Sequence, residues 1–422
     1  MEDDKLVVGD AMKFTDIFRQ IRTWGIRGVV KALQRLPHER SIRRYLLQNA
    51  SRHANTTPCK GITVIAPISG AYSLSKTMRD FVVRLQKVGV PHQVFDTYKY
   101  DGKVAREDYE PLLTPKSEFN VLKYEFVVEM LTSPLPTGLP VKRCRIAFWE
   151  GEAGLLDVFP YLKDSYAVIA MSDFNAAYFR RALPSYVTVK KVIYPLLPIP
   201  VGVLAKNGAR EKFGIGLDDF VVFYNFDIRT DYRKNSQGTL EAFSLAFKSV
   251  ESCKLVLKVN GVAACPEKLS SIKESASRLG IAQQLIIIKE YLSQLDLYSL
   301  TNACDVYFSL HRGEGFGLGI AEAMQLSKPV VTTAYSAPLE FCNGATALLV
   351  PYKLVPMEGD ALASRIGTCA EPDVGAAAAA LQRVYGDNAF AAEIGGRARR
   401  FVEDHFSDAA FKMSVVELME SI

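Results

Sequence analysis

No two of the seven cysteines stand in a C-x-x-C pair; Cys59, Cys144, Cys253, Cys265, Cys304, Cys342 and Cys369 are scattered along the chain. That excludes a disulfide framework and a thiolate zinc site, and it fits reduced core residues of a cytosolic protein. Histidine is also scarce: of His38, His53, His92, His311 and His405, none lies between residues 93 and 310. With so few His and Cys, and no Asp-x-Asp after an expected strand, no metal cluster is expected. No window of about 18 apolar residues exists, so no transmembrane helix is expected. The start, MEDDKLVVGD, has no apolar run of the signal-peptide kind. A net charge of +5 is too mild to imply nucleic acid. The chain does hold 49% hydrophobic residues over 422 positions. That is the composition of a soluble globular protein with more than one core, so two or three domains are expected.

Basic residues gather at the front. Residues 11–53 carry Lys13, Arg19, Arg22, Arg27, Lys31, Arg35, Arg40, Arg43, Arg44 and Arg52 against only Asp16 and Glu39. Phe14, Ile17, Phe18, Ile21, Val29, Leu33 and Leu36 recur at roughly helical spacing, with Trp24 among them. Two readings stand: an amphipathic helix packed on its own domain, or one lying on an anionic membrane surface. From residue 61 strand and helix patterns alternate. GITVIAPISG (61–70), PHQVFDT (91–97), FNVLKYEF (119–126), CRIAFWEGE (144–152) and YAVIAMS (166–172) read as strands. IYPLLPIPVG (193–202), with three prolines, reads as a linker. Alternation then resumes through FVVFYNF, KLVLKVNG, LIIIKE, DVYFSL, PVVTT and ALLVPY, and the tail from about Asp373 is helical. This predicts an α/β architecture of two doubly wound, Rossmann-like domains facing a cleft, with ligands at the carboxyl ends of the strands.

The stretch SLHRGEGFGLGIAEAMQLSKPVV (309–331) is the most informative. It reads as strand, glycine-rich turn, helix. Gly315, Gly317 and Gly319 would let the main chain approach a phosphate at the helix start, where free N–H groups and the helix dipole favour anions. Glu314 and Glu322 are poor phosphate ligands but good acceptors for hydroxyl groups on either side of one. A sugar joined through a diphosphate to a ribose fits that layout. The glycine spacing does not match G-x-G-x-x-G, which argues against a dinucleotide fold. His311 and Arg312 sit at the strand's carboxyl end, where one of them is expected to line the cleft. Lys258 lies in an apolar strand and either reaches the cleft or snorkels.

The run Glu-Gly-Phe-Gly-Leu followed by Glu-Ala-Met resembles the signature of glycosyltransferase family 4, retaining enzymes of GT-B fold. YNFDIRTDYRKNSQGTLEAFSLAF (224–247) is similar to the family's Arg-Lys-Asn segment, AFWEGEAGLLDVFP (147–160) to its Trp-Glu…Phe-Pro segment, and APLEFCNGATALLVPYKLVP (337–356) to its downstream segment. The resemblance implies that Glu314 meets donor-sugar hydroxyls, Glu322 the ribose, and the amides of Phe316, Gly317 and Leu318, beside Gly315, the sugar and phosphate. It implies that Lys234, with Arg233, binds the diphosphate. Three departures stand out. Ile228 occupies the place of a family Arg, with Arg229 one step off, and SGAYSLS (69–75) offers only Gly70 where members have a glycine-rich acceptor loop. A cleft His of the N-terminal half is missing too. Gly70, Trp149, Glu150 and Glu152 are the candidates for the acceptor side, with capping or ion pairing as the alternative for the two glutamates.

Residues 1–60 are expected to form a basic helical extension, 61–200 the acceptor domain and 201–405 the nucleotide-sugar domain, with 406–422 a helix crossing back. The activity implied is retaining, metal-independent transfer of a hexose, mannose among the candidates, from a GDP- or UDP-linked donor to a glycan or lipid-linked glycan in cell-surface polysaccharide assembly. No cofactor and no nucleic acid partner are expected. The expected place is the cytoplasm, with contact at the inner face of the plasma membrane through residues 11–53 as an option. The rival is a non-catalytic nucleotide-sugar-binding module or scaffold.

Overall fold

The computed structural model describes residues 37–70, 72–98, 104–130, 139–357 and 367–421. The apolar runs become two six-stranded sheets, all parallel within each. The first holds β1 (Cys59–Ala66), β2 (His92–Asp96), β3 (Tyr124–Met130), β4 (Lys142–Ile146), β5 (Ala167–Ala170) and β6 (Thr188–Lys191), in the order β2-β1-β3-β4-β5-β6. The second holds β7 (Phe220–Asp227), β8 (Cys253–Asn260), β9 (Leu285–Ile288), β10 (Val306–Ser309), β11 (Val330–Thr333) and β12 (Leu348–Val350), in the order β12-β11-β10-β7-β8-β9. Most central strands are apolar, as expected of a parallel sheet covered on both faces; β4, Lys-Arg-Cys-Arg-Ile, is an exception, and its Arg145 pairs with the buried Glu129 of β3 at 2.7 Å. In the second sheet the order reverses between β7 and β10, which opens a crevice at their carboxyl ends. The expected pair of doubly wound domains is therefore present.

The chain crosses between the domains twice. Residues 192–200 carry no helix or strand, yet Tyr194 and Leu196 are buried. The final helix, Asp408–Ser421, returns to the first domain. There Phe411 meets Phe81 edge-on at 5.6 Å, and Ser414 Oγ accepts from the Ile193 N–H at 3.1 Å.

Several local expectations differ. FNVLKYEF is not itself a strand: β3 starts at Tyr124, and Phe119, Val121 and Leu122 instead fill a small second core. That core is closed by a helix over 37–52, whose Ile42, Leu46 and Ala50 pack on Ile65, Phe95, Phe119 and Val127. Tyr45 stacks on Phe95 at 5.2 Å, and Asn49 bonds the backbone of Phe119 and Val121, each at 2.8 Å. For this part of the basic extension the apolar face is thus covered by its own domain, while Arg40, Arg44 and Arg52 stay exposed. Residues 11–36, with Trp24, lie outside the described residues. The strand β6 was hidden in the sequence because it is a short, polar edge strand. ALLVPY splits at Pro351 into β12 and β13 (Tyr352–Pro356), and β13 pairs antiparallel with β14 (Thr368–Pro372) as a separate hairpin. Among the described residues no helix is long and apolar enough to cross a membrane.

Candidate active site

The crevice between β7 and β10 gathers the Arg-Lys-Asn segment and the glycine-rich loop. After β7 a short turn of helix, Asp231–Lys234, ends at Asn235 in the left-handed region, φ 56°. Asn235 caps the helix Ser236–Phe247, its Oδ1 accepting from the Gly238 N–H at 3.1 Å, and its Nδ2 donates to the Leu310 carbonyl at 2.9 Å. One side chain thereby fixes the turn that carries Arg233 and Lys234 to the end of β10. The Arg312 N–H donates to the Arg233 carbonyl at 2.7 Å and closes the same junction.

Glu314 lies in the middle of it. Its Oε1 is ion-paired with Lys234, and its Oε2 meets Arg233 Nη1 at 3.3 Å. Arg233 also donates to the Gly313 carbonyl at 2.8 Å and reaches Glu150 of the first domain at 3.3 Å. Burial alone would raise the Glu314 carboxyl, but Lys234 and Arg233 outweigh it and hold it down at about 2. Lys234 is pushed below its ordinary range, because burial and the neighbouring Arg233 outweigh the pull of Glu314. Both cations and their carboxylate are thus dehydrated and fixed, which strengthens any charge they present to a ligand. The Glu314 N–H donates to Ser336 Oγ at 2.9 Å, and Ser336 is itself in a positive-φ conformation, φ 66°. Strain of that sort persists only where surroundings impose it.

The helix Leu318–Gln325 begins at Gly317, φ 91°, which offers no side-chain cap to the first-turn N–H groups. Phe316 turns its ring inward and stacks on Tyr194 of the linker at 3.8 Å, so its main chain is what it can offer a ligand. Glu322 is buried and lies 3.5 Å from Lys76, a residue of the first domain. Burial raises its carboxyl to about 6. The glycines have a cause the sequence did not reveal. A Cβ on Gly313 would sit 2.7 Å from the Glu150 carbonyl, one on Gly315 3.0 Å from Phe148, and one on Gly319 2.3 Å from the Tyr307 hydroxyl. The first two make room for the other domain, the third for the underlying strand.

Other candidates are placed differently from expectation. His311 is fully buried, with Nε2 at 3.1 Å from the Tyr335 carbonyl and Nδ1 at 3.2 Å from Ser309 Oγ, and burial lowers it to about 4. It is a neutral support under the loop, not a cleft group. Arg312 is committed to Glu371 at 2.6 and 2.9 Å and to the Tyr232 carbonyl at 2.8 Å, so it braces the β13–β14 hairpin. Arg229 pairs with Asp227, two residues away on the same segment. Lys258 is buried and donates to Asn260 at 2.6 Å; burial lowers it to about 8. Trp149 is core: its Nε1 donates to the Ala153 carbonyl at 2.8 Å, and it meets Phe159 edge-on. Gly70 is buried, and its carbonyl accepts from Arg79 at 2.7 Å. Glu150 faces Arg233 across the cleft, and Glu152 accepts from the Tyr335 hydroxyl at 3.4 Å. Asn235, Ser336 and Lys76 were missed as site residues. Asn235 had a signal in its motif, whereas a lone Ser before Ala-Pro and a helical Lys carry none. Among the described residues no three His, Cys, Asp or Glu side chains converge as a metal ion would require.

Residues 207–366 match the family Glycosyl transferases group 1. A stretch of 77 residues is 34% identical to the lipopolysaccharide core biosynthesis mannosyltransferase LpsB of Rhizobium meliloti (strain 1021), which is 18% of this chain and 21% of that one. The alignment therefore spans about a fifth of that relative. In fold, the chain resembles the sucrose-phosphate synthase of Thermosynechococcus elongatus, with a TM-score of 0.65, 17% identity, and 86% of this chain and 99% of that one covered. It also resembles Anabaena HepE, solved with UDP and glucose, with a TM-score of 0.62, 14% identity and coverage of 86% and 100%. A glycosyltransferase of Rickettsia africae gives 0.61, 14%, 86% and 98% in the same terms.

Proposed function

We propose that this chain, which carries a group 1 glycosyl transferase domain on a GT-B frame, is a retaining hexosyltransferase using a nucleoside diphosphate sugar. The observation that carries the reading is the junction of Lys234, Arg233 and Glu314 at the strand-order reversal, opposite Glu150 of the first domain.

Cleaving the sugar–phosphate bond leaves negative charge on a diphosphate oxygen. Lys234 and Arg233 neutralise it, helped by main-chain N–H groups from Gly315 to Leu318. Glu314 has lone pairs beyond those its cations use, and these orient the hexose hydroxyls. Glu322 accepts the ribose hydroxyls. The acceptor hydroxyl attacks from the face the phosphate leaves, and its proton passes to that phosphate oxygen. The configuration is retained and no protein base is needed. Side-chain cations do the neutralising, so the reaction runs without a divalent metal. The UDP and UDP-glucose held by HepE support a donor of this class. The LpsB similarity supports mannose as the hexose and surface polysaccharide as the setting, with GDP-mannose or a UDP-hexose as donor. The acceptor is a glycan or lipid-linked glycan in the cytoplasm, and for the latter exposed Arg40, Arg44 and Arg52 supply cationic surface toward an anionic membrane.

Thermal shift against nucleoside diphosphates and their sugars identifies the donor, since a ligand of the folded state raises the melting point. Transfer is then followed in EDTA and the product anomer read by NMR. Retention is expected, with Glu314→Ala and Lys234→Ala each slowed ~100-fold or more. An inverted product, or full activity in the double variant, rejects the reading. Nucleotide binding without transfer makes the chain a non-catalytic module.

A further inference from the structure

We propose that Lys76, in the first domain, is a positioning residue for the nucleotide: it reaches across the cleft to Glu322 and fixes that carboxylate for the ribose hydroxyls. The inference rests on the donor-site reading given above.

Lys76 lies in the first turn of the helix Ser73–Lys87. One turn on, Asp80 Oδ2 accepts from its ammonium at 2.5 Å, and across the domain boundary Glu322 Oε1 stands 3.5 Å away. The three side chains are 16%, 4% and 7% exposed, so two carboxylates share one cation with little water to screen them. Asp80 alone would satisfy a lysine at helical spacing. The longer reach to Glu322 adds a contact between domains and holds the acid without saturating it, because an ionised carboxylate accepts about four hydrogen bonds. Besides Lys76 and Asp80, the groups facing Glu322 are Tyr194 of the linker, Tyr298 of the helix Gln294–Ala303 and Tyr307 of β10. Among the described residues, Lys76 is thus the one cation acting on Glu322. Without it, Asp80 keeps the influence of Arg79 and Arg84 on its own helix, whereas Glu322 is left buried beside an acid with no cation, which favours its protonated form. A protonated Glu322 is a poorer acceptor for a pair of hydroxyls. Because the cation comes from the other domain, ribose recognition on the second domain depends on the first being in place.

The test measures binding of UDP, GDP and their 2′-deoxy forms by calorimetry from pH 5 to 8, in the wild type, Lys76→Met, Asp80→Asn and Glu322→Gln. The wild type should prefer ribose over deoxyribose by ~10-fold or more, as expected for hydrogen bonds to a charged group. Lys76→Met and Glu322→Gln should both lose that preference. In Lys76→Met the acid limb of binding should move to higher pH. In Asp80→Asn, which removes the competing acid, it should move to lower pH. Opposite displacements are not what a merely structural lysine would give, and Asp80→Asn still tests the idea where Lys76→Met fails to fold. If Glu322→Gln loses the ribose preference while Lys76→Met keeps it and its acid limb is unmoved, the inference falls and the donor site stands. If Glu322→Gln keeps the preference, or the wild type binds no nucleoside diphosphate, both fall.

Discussion

Glu314 shows how a buried carboxylate stays ionised. Burial pushes its proton affinity up, yet two cations within hydrogen-bonding reach bring it to about 2. Glu322, with one shared cation, stays near 6. The two acids of one motif therefore differ because of their neighbours, not their type. Ser336 decides the posture of the first. Its hydroxyl takes the Glu314 N–H at 2.9 Å in a buried loop. Ser336→Ala leaves that donor without its partner and should cost about 1–3 kcal/mol, read as a lower denaturation midpoint. Because the loop also carries Glu314, kcat should fall with it. Arg312 is the counterexample: a cation at a strand end, where ligands bind, turned instead to Glu371 by geometry that spacing does not encode.

At the scale of elements, the glycine-rich loop is shaped by its packing against the other domain and the underlying strand. The Phe148–Glu150 backbone, which continues past β4 into the cleft, passes so close to Gly313 that a methyl group would lie 2.7 Å from a carbonyl oxygen. Backbone cannot rotate away as a side chain can. Gly313→Ala should destabilise the folded chain by about 1–3 kcal/mol, the usual cost of overpacking. It should also slow transfer, since the displaced segment carries Glu150 against Arg233. A thermal melt with a rate measurement checks both; an unchanged melting point would mean that the two segments can separate freely. The β13–β14 hairpin stands outside the alternating pattern and is tied to the loop by Arg312 and by the Ala370 N–H, which donates to the Arg312 carbonyl at 3.0 Å.

Across the whole molecule, the domains are joined by polar contacts of several kinds. Glu340 of the second domain accepts from Lys191 at 2.5 Å and from the Asp173 N–H at 2.9 Å, both in the first. Burial would raise its carboxyl, but His405 and Lys191 outweigh it and lower it to about 2. A depressed carboxylate contributes stability that is complete above its unfolded value and lost as pH falls toward the folded one. Here that window runs from about 4.5 down to about 2, and the full contribution is on the order of 3 kcal/mol. Glu340→Gln should melt several degrees lower at neutral pH, and the two curves should converge as the pH nears 2. A gap that persists in acid would assign the loss to packing instead. The alternation of strand and helix and the proline linker were legible in the sequence by itself, because periodicity and composition are properties of neighbouring residues, and the family resemblance pointed to Lys234, Glu314 and Glu322, of which Lys234 and Glu314 do meet in the crevice. The sequence also told that Arg233 stands beside Lys234, but not that it meets Glu150, whose position in the chain is remote. Packing alone turned His311 and Arg312 to the support of the loop, put Trp149 in the core, brought Lys76 to Glu322 and required the glycines. Each of these depends on segments far apart in the chain, and no local pattern records which of two equally charged side chains packing will turn toward the cleft.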